Sequence, residues 1–380
     1  MRIAQIAPLY ERVPPLCYGG TERIVSYLTE ELIKQGHELT LFASGDSVTQ
    51  ARIVSPCEQS LRLNSACEDR LAYHVLQLEQ VSRNAAAFDL IHFHTDYLHY
   101  PLCRRIETPH VTTLHGRLDL PDLVSLYREF ADVPVVSISN SQTAPLPWIN
   151  WQATVHHGIP LDLYDLKKTQ GTYLVFLGRI SPEKRVDRAI EIAKRTRMKL
   201  KIAAKVDRVD RRYMDTEIRP LLDHPLVEFI GEIDEKDKAE LLGNAYALLF
   251  PIDWMEPFGL VMIEAMACGT PVIAFRRGSV PEVIDHGVTG FIVEDIEDSM
   301  LAVEKIQHFD RSRCRSAFEK RFSAARMAAD YVKIYERLME TKVRGRPKRL
   351  AEAAKIRRVG FSVPANRDAG HAETLQSKPR

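Results

Sequence analysis

The segment Glu256-Pro257-Phe258-Gly259-Leu260-Val261-Met262-Ile263-Glu264, continuing as Ala265-Met266-Ala267-Cys268-Gly269-Thr270-Pro271, holds two carboxylates eight positions apart. It reads as a loop, a helix and a stop. Pro257 suits a first helical turn, where its missing N–H is no loss, and Gly269 with Pro271 ends the helix. The amides of Phe258, Gly259 and Leu260 would then be the unpaired donors of a helix N-terminus, where the dipole also favours an anion such as phosphate. Eight residues are about two helical turns, so Glu256 and Glu264 are expected to share one face. Carboxylates so placed suit vicinal hydroxyls. For an isolated pair the plainer reading is two solvated glutamates on an amphipathic helix, but the flanking Pro-Phe-Gly and Cys-Gly-Thr-Pro argue against it.

Three other groups of residues could carry chemistry. Arg179 and Lys184, in Phe176-Leu177-Gly178-Arg179-Ile180-Ser181-Pro182-Glu183-Lys184, lie just after an expected strand, where α/β proteins bind ligands. Gly19 and Gly20 precede the helical stretch 21–35, so backbone there could approach a phosphate or sugar with no side chain in the way. His115 follows the expected strand 110–114 and precedes Gly116, at a strand end facing a predicted cleft. His92, His94, Asp96 and His99 invite comparison with a metal site, but the metal-free reading is preferred, and a role for His94 or Asp96 near an acceptor stays open.

The elements that must position these residues alternate short apolar runs with amphipathic helices, the pattern of βαβ units around parallel sheets. The fold class is therefore α/β. Expected strands are 2–7, 38–43, 89–93, 110–114, 133–137 and 153–156 in the first half, and 172–177, 200–204, 227–230, 247–250, 271–274 and 291–293 in the second. A polar stretch, 161–171, ends in glycine and marks the boundary. The expected parts are two Rossmann-like doubly wound domains, 1–165 and 171–320, a terminal helix over 321–340 with its periodic part at 324–339, and a basic, mostly disordered tail, 341–380.

Two cores fit a chain of 380 residues, since single cores rarely exceed roughly 250–300 residues. The opening apolar run stops at Pro8, too short for a signal peptide or a membrane span. The six cysteines lie far apart without a CxxC pair, which fits reduced thiols and a cytoplasmic location. The net charge of +1 is uneven: residues 341–380 carry eleven Lys/Arg against three Asp/Glu, so the tail could touch an anionic membrane surface on the cytoplasmic face.

On these motifs the chain resembles the retaining glycosyltransferases of GT-B family 4, marked by an E-x7-E motif in the setting EPFGLVxIEAMACGTPV. Gly19-Gly20-Thr21-Glu22-Arg23, Gly278-Ser279-Val280-Pro281-Glu282 and Gly287-Val288-Thr289-Gly290-Phe291 agree with it. The resemblance extends from Met1 through Met339. It implies a GT-B cleft with the acceptor on the first domain and a nucleotide-sugar donor, UDP-linked by family frequency, on the second. It further implies that Arg179 and Lys184 hold the diphosphate, Glu264 the ribose hydroxyls, Glu256 the hydroxyls of the transferred sugar, and that His115 lies beside that sugar. No cofactor and no metal are implied, because Arg179, Lys184 and the helix start would balance the leaving diphosphate. The acceptor is left as a sugar, a lipid-linked sugar or a small molecule. One departure is His156-His157-Gly158-Ile159-Pro160, where relatives read Asn-Gly-Ile/Val-Asp.

Two alternatives remain from the sequence. A sugar-nucleotide epimerase would share the fold. A nucleic-acid-binding protein would act through the tail, where Arg344-Gly345-Arg346-Pro347 resembles a minor-groove contact, a reading that so short a match disfavours.

Overall fold

The computed structural model of the chain describes residues 1–356, and for 342–356 the helical backbone alone. The sheets, the cavity and the contacts below belong to one compact unit, Met1–Met339. That unit contains two wholly parallel sheets. The first orders its strands β3-β2-β1-β4-β5-β6-β7, with β1 Arg2–Ile6, β2 Glu38–Phe42, β3 Arg52–Val54, β4 Leu90–Phe93, β5 His110–Thr113, β6 Val135–Ser137 and β7 Trp151–Thr154. The second orders β10-β9-β8-β11-β12-β13, with β8 Tyr173–Arg179, β9 Lys199–Lys205, β10 Val227–Gly231, β11 Ala247–Phe250, β12 Val272–Phe275 and β13 Gly290–Val293. The fold is α/β and has two doubly wound halves.

The central strands show why the sequence folds so. Leu90–Phe93, Ala247–Phe250 and Val272–Phe275 are buried along their whole length, as apolar runs covered by helices on both faces must be. In each sheet the strand order reverses beside the first strand, between β1 and β4 and between β8 and β11. Chain connections leave toward opposite faces at these points, which opens a crevice at the carboxyl ends of the strands.

The chain crosses from the first sheet to the second between Thr154 and Tyr173 and returns at Ser323, where Ile159 and Ser323 form a parallel bridge. Gly158 makes this crossing possible, because a Cβ there would lie 2.3 Å from the Ser323 carbonyl oxygen. The returning helix, Ala324–Ile356, is capped by Ser323, whose hydroxyl accepts from the Arg326 amide at 3.3 Å. Its Met327, Ala328, Tyr331, Ile334 and Tyr335 are buried against Ile3, Leu28 and Val111 of the first half.

Three elements differ from the sequence reading. Strand β3 was not expected, because one exposed and two half-buried residues at a sheet edge carry no periodicity. Strand β7 lies earlier than 153–156, since its pairing to β6 begins at Trp151, whose indole is held by the Leu146 carbonyl at 2.9 Å. The terminal helix continues to Ile356 instead of ending near 340, so part of the expected disordered tail is helical; Lys348–Ile356 is rich in Ala, Leu, Lys, Arg and Glu, all strong helix formers. The remainder of the tail, and the side chains of Arg344–Pro347, lie outside the described residues. No described helix is long and apolar enough to cross a membrane.

Candidate active site

A cavity of about 470 Å³ opens where the carboxyl ends of the two sheets face each other. Gly19, Gly20 and His115 line it from the first sheet, and Arg179, Lys184, Glu256, Phe258, Gly259, Leu260 and Glu264 from the second. The residues expected to bind the donor or act on it thus meet at one place, whereas His94 and Asp96 do not line the cavity. The two halves also touch directly around it: Arg23 pairs with Glu235, the Tyr18 amide donates to Glu232 at 3.2 Å, and the Asn140 and Ser141 amides donate to the Glu282 carboxylate at 2.7 Å each.

Arg179 ends β8, and Glu183 at 2.6 Å, Asp207 at 3.6 Å and Asp210 at 3.6 Å surround its guanidinium. Burial opposes ionisation of Glu183, but backbone, Ser181 and Arg179 hydrogen bonds hold its pKa below the usual carboxylate range. Lys184 follows in the next turn. Its ammonium pairs with Glu256 and lies 5.0 Å from the centre of the Trp254 ring, while the Trp254 indole donates to the same Glu256 oxygen at 2.9 Å. A cation, a carboxylate and an aromatic face therefore converge on one wall of the cavity.

The helix of the E-x7-E segment starts later than its sequence suggests. It spans Leu260–Ala267, with Gly259 as the N-cap at φ +79°, a left-handed conformation that no helix interior accepts. Pro257 and Phe258 are consequently loop residues, and the Met262 amide already bonds the Gly259 carbonyl at 3.0 Å. The amides of Leu260 and Val261 precede that first bond and have no partner within the helix. Glu256 and Glu264 do not share a helical face; Glu256 stands in the preceding loop and both reach the cavity from different elements. Gly278, at φ +54°, packs against the Glu256 backbone, and a Cβ would come within 2.4 Å of it.

Glu264 is buried inside the helix and accepts from Lys238 Nζ at 2.6 Å. Lys238 also lies 3.0 Å from Glu235, which in turn accepts from Arg23 and the Tyr164 hydroxyl. Burial opposes the charge on Glu235, and Lys238 with Arg23 keeps its pKa below the usual value. Sequence reasoning passed over Lys238, because Asp234-Glu235-Lys236-Asp237-Lys238 reads as a solvated helix start, and over Arg23, although it closes the Gly-Gly-Thr-Glu-Arg motif.

On the first sheet, Gly19 is the N-cap of the helix Gly20–Lys34 at φ +152°. A Cβ on Gly20 would touch Leu260 at 3.5 Å, so the two helix starts face each other across the cleft. Glu22, in the first turn, is buried at the cavity, and desolvation pushes its pKa up to about 7. His115 is partly accessible at the cavity wall, yet its dense surroundings push its pKa down to about 3. Its ring stacks on His157 at 5.3 Å, and His157 meets Phe258 edge-on at 4.9 Å. The substitution at position 157 thus brings an aromatic ring to the site. His92, His94 and His99 are buried and hydrogen-bonded to Tyr335, Thr113, Gln5, His115, Thr95 and Thr112, while Asp96 is exposed and adopts a left-handed backbone conformation.

Comparison with known proteins assigns the chain to a family. Residues 165–324 match the family described as Glycosyl transferases group 1, and residues 18–151 match Glycosyltransferase Family 4. The chain belongs to the group 1 glycosyltransferases of family 4 type. Its fold is GT-B. Sucrose-phosphate synthase from Thermosynechococcus elongatus superposes with a TM-score of 0.72 at 19% identity, over 90% of this chain and 100% of that one. Anabaena Alr3699/HepE, in complex with UDP and glucose, does so with a TM-score of 0.67 at 17% identity, over 88% and 98%. Among curated proteins, N-acetyl-alpha-D-glucosaminyl L-malate synthase of Bacillus anthracis is 36% identical over 117 residues, which are 29% of this chain and 30% of that protein. Glycogen synthase of Mycobacterium tuberculosis is 24% identical over 397 residues, covering 87% and 94%. The chain thus matches about a third of the first relative and nearly all of the second.

Proposed function

We propose that this glycosyltransferase moves a sugar from a UDP-linked donor to a hydroxyl acceptor, with retention of anomeric configuration and without a divalent metal. The observation that carries the reading is the convergence of Lys184, Arg179 and the helix start at Gly259–Leu260 on the cavity that His115 lines from the other sheet. Positive groups fixed in advance at the place where a leaving diphosphate gains charge act on the transition state without reorganising. Neighbouring structures contain UDP or UDP-glucose, which supports the choice of donor.

In this reading the first 165 residues form the acceptor side and residues 171–320 the donor side. The diphosphate lies against the Leu260 and Val261 amides and Lys184. Arg179, oriented by its three carboxylates, offers guanidinium N–H donors beside them. Glu264, held by Lys238, accepts from the ribose hydroxyls, and Glu256 accepts from hydroxyls of the transferred sugar. The bond from the anomeric carbon to the leaving phosphate breaks as the acceptor oxygen bonds to that carbon on the same face, and the acceptor proton passes to the departing diphosphate. His115 positions the sugar. Contacts such as Arg23–Glu235 hold the halves closed and keep water from competing.

Thermal shift with a panel of UDP-, GDP- and ADP-sugars tests the donor, because a ligand at about 100 times its dissociation constant adds roughly 2.7 kcal/mol. A shift with a UDP-sugar, followed by sugar transfer and not only isomerised donor, is the expected result. No shift with any sugar nucleotide contradicts it.

A further inference from the structure

A buried chain of hydrogen bonds runs from His115 away from the cavity. His115 Nε2 lies 2.9 Å from His94 Nδ1, and His94 Nε2 lies 2.7 Å from Gln5 Oε1. The Gln5 amide nitrogen donates to the Tyr335 hydroxyl at 3.5 Å. That hydroxyl lies 2.7 Å from His92 Nδ1, and His92 Nε2 lies 2.7 Å from Thr113 Oγ1. Gln5, His92, His94 and Tyr335 are each at most 1% exposed, so no solvent proton relieves a mismatch along the chain.

The protons in such a chain are not independent. An amide oxygen only accepts, so the hydrogen between Gln5 and His94 sits on His94 Nε2. Burial keeps His94 neutral, which leaves its Nδ1 bare. The hydrogen between the two histidines then belongs to His115 Nε2. A neutral His115 consequently has Nδ1 as its one acceptor and no further donor on the ring.

We propose that Gln5 and Tyr335 are positioning residues that fix the tautomer of His115, so that its Nδ1 accepts a hydrogen bond from a hydroxyl of the bound ligand. The inference rests on the reading of the cavity as a sugar-transfer site. Tyr335 comes from the returning helix Ala324–Ile356, which links the last helix of the compact unit to the ring that lines the cleft. In this account the helix does more than cover the first sheet. Its hydroxyl takes the Gln5 amide N–H, which leaves the amide oxygen to His94; the opposite amide orientation would send the proton to His115 Nδ1 and turn an acceptor into a donor.

The test is long-range ¹H–¹⁵N correlation on the full chain, with the His115 signals identified by their loss in His115→Ala, alongside transfer kinetics. In the wild type His115 Nε2 is expected to be protonated and Nδ1 bare. In Gln5→Leu, and in the nearly isosteric Tyr335→Phe, His115 should populate both tautomers. In both, kcat should fall in proportion to the His115 left in the competent tautomer, about twofold when the two are equally populated and more as the other form dominates, with the nucleotide dissociation constant unchanged. A His115 protonated on Nδ1 in the wild type overturns the inference, as does an unchanged tautomer in both variants. If His115→Ala abolishes transfer while both variants keep wild-type kcat, this inference fails and the reading of the site stands. If His115→Ala itself transfers normally, the reading of the site fails.

Discussion

Lys238 Nζ lies 2.6 Å from Glu264 Oε1 at the wall of the cavity, and both side chains are almost fully buried. A buried carboxylate is tolerable when an opposite charge meets it, and removing one partner commonly costs about 3–5 kcal/mol. Lys238→Met should therefore lower unfolding stability by an amount of that order, reduced where Arg23 and Glu235 reorganise. Glu264→Gln should keep the fold better and still weaken donor binding, because a neutral amide replaces a charge-assisted acceptor for the ribose. Urea unfolding and donor titration on both variants separate the effects. Equal loss of stability with unchanged donor affinity in Glu264→Gln would leave Glu264 a structural group only.

Gly278 and Gly287 provide a matched pair of loop substitutions. Both have positive φ, +54° and +77°, so alanine adds about 1–2 kcal/mol of backbone strain at either. A Cβ at 278 also meets the Glu256 backbone at 2.4 Å, whereas at 287 nothing lies within 4 Å. Gly278→Ala should displace Glu256 and cut turnover by on the order of 10²-fold, and Gly287→Ala should lose stability alone. Similar turnover in the two variants would contradict a role for Glu256 in transfer.

Glu22 offers a pH signature. Its folded-state pKa, about 7, lies above the ordinary carboxyl value of 4.5, so the fold favours the protonated form. Its contribution is full below about pH 4.5 and is lost as pH rises through 7. At 1.36 kcal/mol per pH unit, the wild type should lose about 3 kcal/mol relative to Glu22→Gln between pH 4.5 and 8. Urea unfolding of both proteins at those two pH values measures this difference. A difference that does not change with pH would show an ordinary, ionised Glu22.

The extent to which the sequence foretold the site follows from what kind of interaction sets each feature. Strand runs such as Ala247–Phe250 were legible because complete burial demands an unbroken apolar stretch. Arg179, Lys184 and Glu264 were legible because their motifs are local. The start of the helix at Leu260 was not, since the left-handed Gly259 depends on Phe250 and Met262 packing against it. Lys238 and the Gln5–Tyr335 contact were hidden for a related reason: their partners are 26 and 330 positions away, and no periodicity announces such pairs.

The central claim is that a sugar nucleotide binds in this cavity through Lys184 and Glu264 without a metal. Its most direct test is calorimetric titration of the thermally selected sugar nucleotide into wild type, Lys184→Ala and Glu264→Gln, all in excess EDTA. The account predicts tight binding to the wild type under these conditions and a loss on the order of 10²-fold in each variant, as expected when a hydrogen bond to a charged group is removed. Binding that vanishes in EDTA and returns only with Mg²⁺ or Mn²⁺, or that is equal in all three proteins, would contradict it.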